Sequence, residues 1–171
     1  MADKINPVRE TDEEALGLVA KLLGDTRYAS LGVSEIGSGI PLVSRVAAAW
    51  SVETGIFFCA SDLSVHSKCL AKNASCSLMV GEPGKGDGLA YPRVTLIGSA
   101  ERMENADSSR DQFKEIFLRV HPKANLYVDF LDFGFYPINL ERALLNGGFG
   151  KAYHLTAADL SRFADNRENN T

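Results

Sequence analysis

No apolar run in the 171-residue sequence approaches the roughly 20 residues that a membrane-spanning helix needs. The opening residues, MADKINPVRETDEEA, lack the apolar stretch of a secretory leader. Cysteine is scarce. Cys59, Cys69 and Cys76 are odd in number and form no C-x-x-C pair, which excludes a disulfide framework and a zinc knuckle. Reduced thiols and a cytoplasmic location are the expectation. A basic excess is also absent. Eighteen Lys and Arg stand against 22 Asp and Glu, a net charge of −4, so neither nucleic acid nor a membrane is expected as partner.

Several catalytic signatures are missing as well. There is no H-E-x-x-H and no G-x-S-x-G elbow. His66, His121 and His154 are far apart, so no metal site is expected. The glycine-rich stretch Gly81–Gly88 is not a phosphate loop. Gly86 follows Lys85 where a magnesium-binding Ser or Thr is required. No G-x-G-x-x-G opens a helix, so a dinucleotide fold has no support.

What is present is an ordinary globular composition, 45% hydrophobic and 23% charged, enough for one core. A single domain over residues 1–164 is expected, with a polar, disordered ending at 165–171. Thr11 and Glu14 have the spacing of a capping box ahead of a helix that Gly24 stops. Short apolar strands follow at 28–34, 42–50, 56–60 and 77–80, broken by Gly-rich turns. A short helix lies within 61–73, capped by Asp62 or Ser64. A strand starts at Arg93 and is interrupted by Gly98. A helix over 107–120 carries Phe113, Ile116, Phe117 and Val120 on one stripe and ends at His121-Pro122. One or two strands at 133–145, a glycine corner at 147–150, a strand at 153–155 and a helix capped by Thr156 complete the chain. About seven strands in meander order, with helices at the margins, predict a mainly β fold closed as an antiparallel barrel.

Three segments carry chemistry. Arg45 sits in the apolar run Pro41–Ala47, where a charge is costly unless it is paired or aimed at an anion. A guanidinium suits phosphate or carboxylate. The stretch Ala60–Lys68 joins a strand to a helix and offers Ser61, Ser64, His66 and Lys68 as donors. Helix capping explains its serines equally well. Arg93 enters a strand directly after the glycine loop. The aromatic stretch Tyr127, Phe130, Phe133, Phe135 and Tyr136 suits either core packing or a ligand wall, and Phe149 in the glycine corner is similarly two-sided.

The order of these segments resembles the flavin-binding split barrels related to pyridoxamine 5′-phosphate oxidase. The resemblance rests on the Ser44-Arg45 strand, then Ser64, His66, Lys68, Leu70 and Asn73, then Arg93–Ala100. The later runs 121–124, 129–133 and 147–152 are similar to the haem-utilisation branch of that superfamily. The resemblance implies an antiparallel split β-barrel that works as a homodimer with ligand sites between subunits. It implies FMN held by Ser44, Arg45, Val46, Ala60, Ser61, Ser64, His66 and Lys68, with Arg93 reaching the ring from the partner subunit. His66 stands where many flavin-binding members carry Lys or Arg, and the basic ending of the vitamin B6 oxidases is lacking. The first reading is therefore an FMN-dependent oxidoreductase of unassigned small-molecule substrate and unassigned catalytic residues. The second is a haem-binding or haem-degrading protein, with His154 or His66 as candidate iron ligand. The third is a non-catalytic flavin-binding protein.

Overall fold

The computed structural model describes residues 8–148 and 150–165. Phe149, and the expected disordered ending from residue 166 on, lie outside the described residues. The elements run β1 (Val8–Arg9), α1 (Glu13–Gly24), β2 (Tyr28–Ser34), β3 (Pro41–Ser51), β4 (Gly55–Ser61) and α2 (Val65–Leu70). They continue with β5 (Ser75–Val80), β6 (Arg93–Ala100), α3 (Arg110–Val120), β7 (Phe133–Asn146), β8 (Ala152–Thr156) and α4 (Ala157–Asp165). Pairing passes from β7 through β4, β3, β2, β5 and β6 and returns to β7, every step antiparallel. Six strands thus close a barrel and leave few open edges. β8 adds antiparallel to β7, and β1 adds parallel to β8.

Alternation in the sequence decides which side chains enter the barrel. In β6, Val94, Leu96 and Ala100 point in, while Arg93, Thr95, Ile97 and Ser99 point out. β4 breaks that rule, because Ile56–Ala60 is buried on both faces. Ile56, Phe58 and Ala60 fill the barrel. Phe57 and Cys59 point outward into a second core beneath α3, with Phe113, Ile116, Phe117 and Phe135. The Phe57 ring lies 4.7 Å from Phe113 and 5.7 Å from Phe135, both edge-on. The stripe predicted on α3 is the lid of this layer.

Local signals are mostly met. Gly55 takes φ 68° and closes the β3–β4 hairpin, a conformation other residues avoid. At Gly98 the β6–β7 register shifts by one residue. A Cβ there would lie 2.0 Å from the Asn139 carbonyl oxygen, so only glycine allows the strands this close. Ser64 caps α2. Thr156 and Asp159 cap α4 reciprocally: Asp159 accepts the Thr156 N–H at 2.8 Å, and Thr156 accepts the Asp159 N–H at 3.2 Å. The predicted Thr11 box is a correction. Asp12 is the N-cap of α1 and accepts the Ala15 N–H at 2.8 Å, while the Thr11 hydroxyl donates to the His154 carbonyl. A carboxylate one residue nearer the helix meets the free N–H groups first. Asp165 is the last residue of α4 rather than the first of a tail.

Candidate functional site

The barrel is opened at one seam. The β3–β4 ladder runs from Ser51 and Gly55 to Ala47 and Cys59 and stops there. β3 continues to Pro41 paired with β2 alone. The Ala48 N–H donates to the Arg27 carbonyl, and the β2–β3 register has no break. By alternation, the N–H and C=O groups of Val43 and Arg45 therefore face away from β2, toward the seam. The Arg45 side chain is exposed on the outer face and forms no ion pair among the described residues. Its charge is carried by solvent exposure rather than by a partner. Ser44 and Val46 turn to the inner side, half-buried and buried.

Across the seam, Ala60 is buried and pairs with Gly134. The Ser61 hydroxyl donates to Asp132 at 2.6 Å and accepts the Leu63 N–H at 3.1 Å. Ser64 Oγ lies 2.8 Å from the Ser61 carbonyl oxygen and 2.8 Å from Ser67 Oγ, besides capping α2. Both hydroxyls are thus occupied with local structure. α2 also separates His66 from Lys68. Lys68 lines a cavity of about 530 Å³ below the helix, and His66 does not. His66 is half-buried, and burial lowers its pKa, which keeps the imidazole neutral near pH 7.

No motif in the sequence marks this cavity. Asp62 and Arg102 form an ion pair at 2.6 Å within its wall, and the Tyr136 hydroxyl donates to Asp62 at 3.4 Å. Burial raises the Tyr136 pKa. Arg102 also donates to the carbonyls of Met103 and Leu131. No sequence signal marks a pair 40 residues apart.

Arg93 lies on the outer face of β6. Its guanidinium donates to the Leu89 and Tyr91 carbonyls at 3.2 and 3.3 Å, neutral partners that leave its charge uncompensated. The pairings Arg93–Asn146–Ala152 and Thr95–Leu144–His154 place these residues on one surface. Arg93, Thr95, Asn146 and His154 line a cavity of about 230 Å³ there. The His154 side chain is exposed, and its imidazole makes no hydrogen bond among the described residues. Arg45 shares this outer face. It is reached through Ser30, Met79 and Thr95, three strand spacings or about 14 Å along the sheet. Within one chain Arg45 and Arg93 do not meet.

Between them the sheet is uncovered. Tyr28 is 48% exposed, Val43 68%, Met79 40% and Leu144 38%, set among Ser30, Gly32, Ser77 and Thr95. The aromatic stretch divides. Phe135 and Tyr136 are core residues, Tyr127 and Phe133 are half-buried, and Phe130 is exposed. The three cysteines are free and buried. Burial pushes the Cys59 thiol up to about 12 and the Cys76 thiol up to about 11. Among the described residues, no group of three His, Cys, Asp or Glu could hold a metal, and no helix is long and apolar enough to cross a membrane.

A closed antiparallel barrel with flanking helices and a parted seam is a split barrel, the fold that proteins of the pyridoxinephosphate oxidase type also have. The family model "CREG, beta-barrel" matches residues 29–162, and the chain belongs to that family. It is 31% identical, over 135 residues, to the chloroplastic non-canonical heme oxygenase HOZ of Arabidopsis thaliana, covering 78% of this chain and 38% of that one. A heme-binding protein from Mycobacterium smegmatis superposes with a TM-score of 0.79 at 25% identity, over 89% of this chain and 62% of the other. A Clostridium acetobutylicum protein related to general stress protein 26, of the pyridoxinephosphate oxidase family, shares the fold. Its TM-score is 0.67 at 15% identity, over 88% of this chain and 99% of the other. The chain thus spans less than two thirds of the length of the two haem-related proteins.

Proposed function

We propose that this chain is a haem-binding protein whose site is completed between two copies packed on the open sheet face. The observation that carries this is the shared cavity of Arg93 and His154. A free imidazole is an iron ligand, and an uncompensated guanidinium suits a propionate. Leu144 and the neighbouring Met79 supply apolar contact. At about 230 Å³ the cavity is smaller than the roughly 300–1,000 Å³ of a complete ligand site, so a second copy would supply the missing wall. The two haem-related proteins support the same reading. Ring breakdown is not included, because the matched region is under half of the plant enzyme.

Hemin titration tests this. The expected result is a Soret band distinct from that of free hemin, with about one haem per site. His154→Ala should shift or abolish the band, and Arg93→Ala should weaken binding. A free-hemin spectrum throughout would overturn the proposal. Loss of the band in His66→Ala alone would move the iron ligand to His66.

One observation favours a second reading, the unpaired Arg45 beside an open strand edge. There FMN would place its phosphate on Arg45, beside Ser44 and Val46, and the protein would be a flavin-dependent oxidoreductase. FMN fluorescence quenching that disappears in Arg45→Ala would support it. The absorbance spectrum of freshly purified protein, yellow or red, separates the two. Three buried free thiols suit a reducing compartment such as the cytoplasm.

A further inference from the structure

One cavity belongs to neither reading. It lies beneath α2, takes up about 530 Å³, and shares no lining residue with β3 or with the Arg93–His154 surface. That volume is in the range of small-molecule sites. Its floor is apolar, made by Leu70, Ala74 and the Tyr136 ring, which is held in place by stacking on Phe58 at 4.9 Å. Two hydroxyl-bearing side chains in the lining are almost fully buried, Ser67 at 4% and Tyr136 at 2%. Their hydroxyls are already hydrogen-bonded, Ser67 to Ser64 at 2.8 Å and Tyr136 to Asp62 at 3.4 Å, so they fix the shape of the wall.

The charges are unevenly satisfied. Asp62 and Arg102 neutralise each other. Lys68 and Lys72, four residues apart and both exposed, form no ion pair among the described residues. Four residues is one helical turn, so the two ammonium groups leave the same side of α2 and its end. Glu101 stands on the rim and repels an anion from its own side. Paired ammonium groups suit a tetrahedral dianion, and an apolar floor suits a flat body attached to it.

We propose that this cavity binds a small organic phosphate, its phosphate on Lys68 and Lys72 and its apolar body over Leu70 and Tyr136. The site is independent of the haem reading. It also gives Lys68 a different role from the flavin-phosphate grip expected of it from the sequence.

Phenyl phosphate serves as the probe, titrated by calorimetry into the full-length protein. Saturable binding is expected, at least tenfold tighter than that of inorganic phosphate or of neutral benzyl alcohol. The double variant Lys68→Ala, Lys72→Ala should lose at least tenfold in affinity. Both lysines are exposed, so the double variant keeps the fold, which circular dichroism verifies. Arg45→Ala and Arg93→Ala should bind the probe as the parent does. Absence of binding at millimolar probe overturns the proposal. So does binding that the double lysine variant leaves unchanged, or equal binding of inorganic phosphate. Hemin binding by the double lysine variant should be unaltered, so failure of either site is read without the other.

Discussion

The outer surface of the barrel has two halves built on the same alternation and treated in opposite ways. Over β4 and the adjoining parts of β3 and β7 the outward residues are Ala49, Phe57, Cys59 and Phe135, and α3 closes over them. Over β2, β5, β6 and the first half of β3 the outward residues are Ser30, Val43, Arg45, Ser77, Met79, Arg93 and Thr95, exposed or half-buried. The first half is continuous hydrocarbon and needs a lid in every state of the protein. The second mixes apolar side chains with hydroxyls and two charged arginines, so it tolerates water and can also be covered. A contiguous patch of that kind suits the contact with a second copy proposed above. The covered half is a folding device, and the open half carries the residues on which the proposed binding rests.

The strongest test of that contrast is Phe117→Ala. Phe117 is fully buried and touches the rings of Phe57 and Phe135 at 6.3 and 5.6 Å. Its removal leaves a void under α3 and should cost about 3–5 kcal/mol in denaturant unfolding. A loss below about 1 kcal/mol would mean that α3 is not the lid it looks like, since even routine substitutions reach that size.

A milder test uses pH. The Cys59 thiol is held protonated up to about 12, against an ordinary value of 9.0. Burial under α3 is the largest cause, partly opposed by Arg110 and Arg102. Between those two values the unfolded chain has released the proton and the folded chain has not. Stability from this group is therefore complete below pH 9 and falls as pH rises toward 12. Cys76, under the barrel wall, behaves in the same way up to about 11. Melting temperature should decline steeply above pH 9 in the parent. It should decline less steeply in Cys59→Ala, and least in the variant lacking both thiols. Equal slopes in all three would remove buried thiols as the cause.

The division of the surface was partly legible in the amino-acid sequence. The α3 stripe of Phe113, Ile116 and Phe117 and the continuous run Ile56–Ala60 both announce a layer buried on two faces. The strands at 28–34 and 56–60 and the caps at Ser64 and Thr156 rest on local chemistry, and local chemistry is written in neighbouring residues. What escaped depends on distance along the chain. Ser61 has the look of an open phosphate donor, yet its proton goes to Asp132, 71 residues on. Lys68 and His66 share one short helix. Which of them faces a cavity depends on how α2 docks, and two turns of helix carry too little periodicity to show it. Arg102 and Tyr136 became site residues only through contacts with Asp62.

The smallest effect on folding should come from the open face, and there it is most informative. Val43 is 68% exposed and Met79 is 40% exposed, on strands either side of β2. Charging both, as Val43→Glu with Met79→Glu, removes little contact within one chain. The unfolding free energy of the isolated chain should move by no more than about 0.5 kcal/mol for each exposed site. The same change puts two like charges on the patch of each copy, and a two-fold contact sets that patch against itself. Sedimentation should therefore show the proposed dimer reduced to a monomer while circular dichroism stays unchanged. Hemin affinity should fall with it, because the second wall of the Arg93–His154 cavity is gone. A variant that remains dimeric and binds hemin normally would place the contact elsewhere and leave the open half of the barrel without the role its composition suggests.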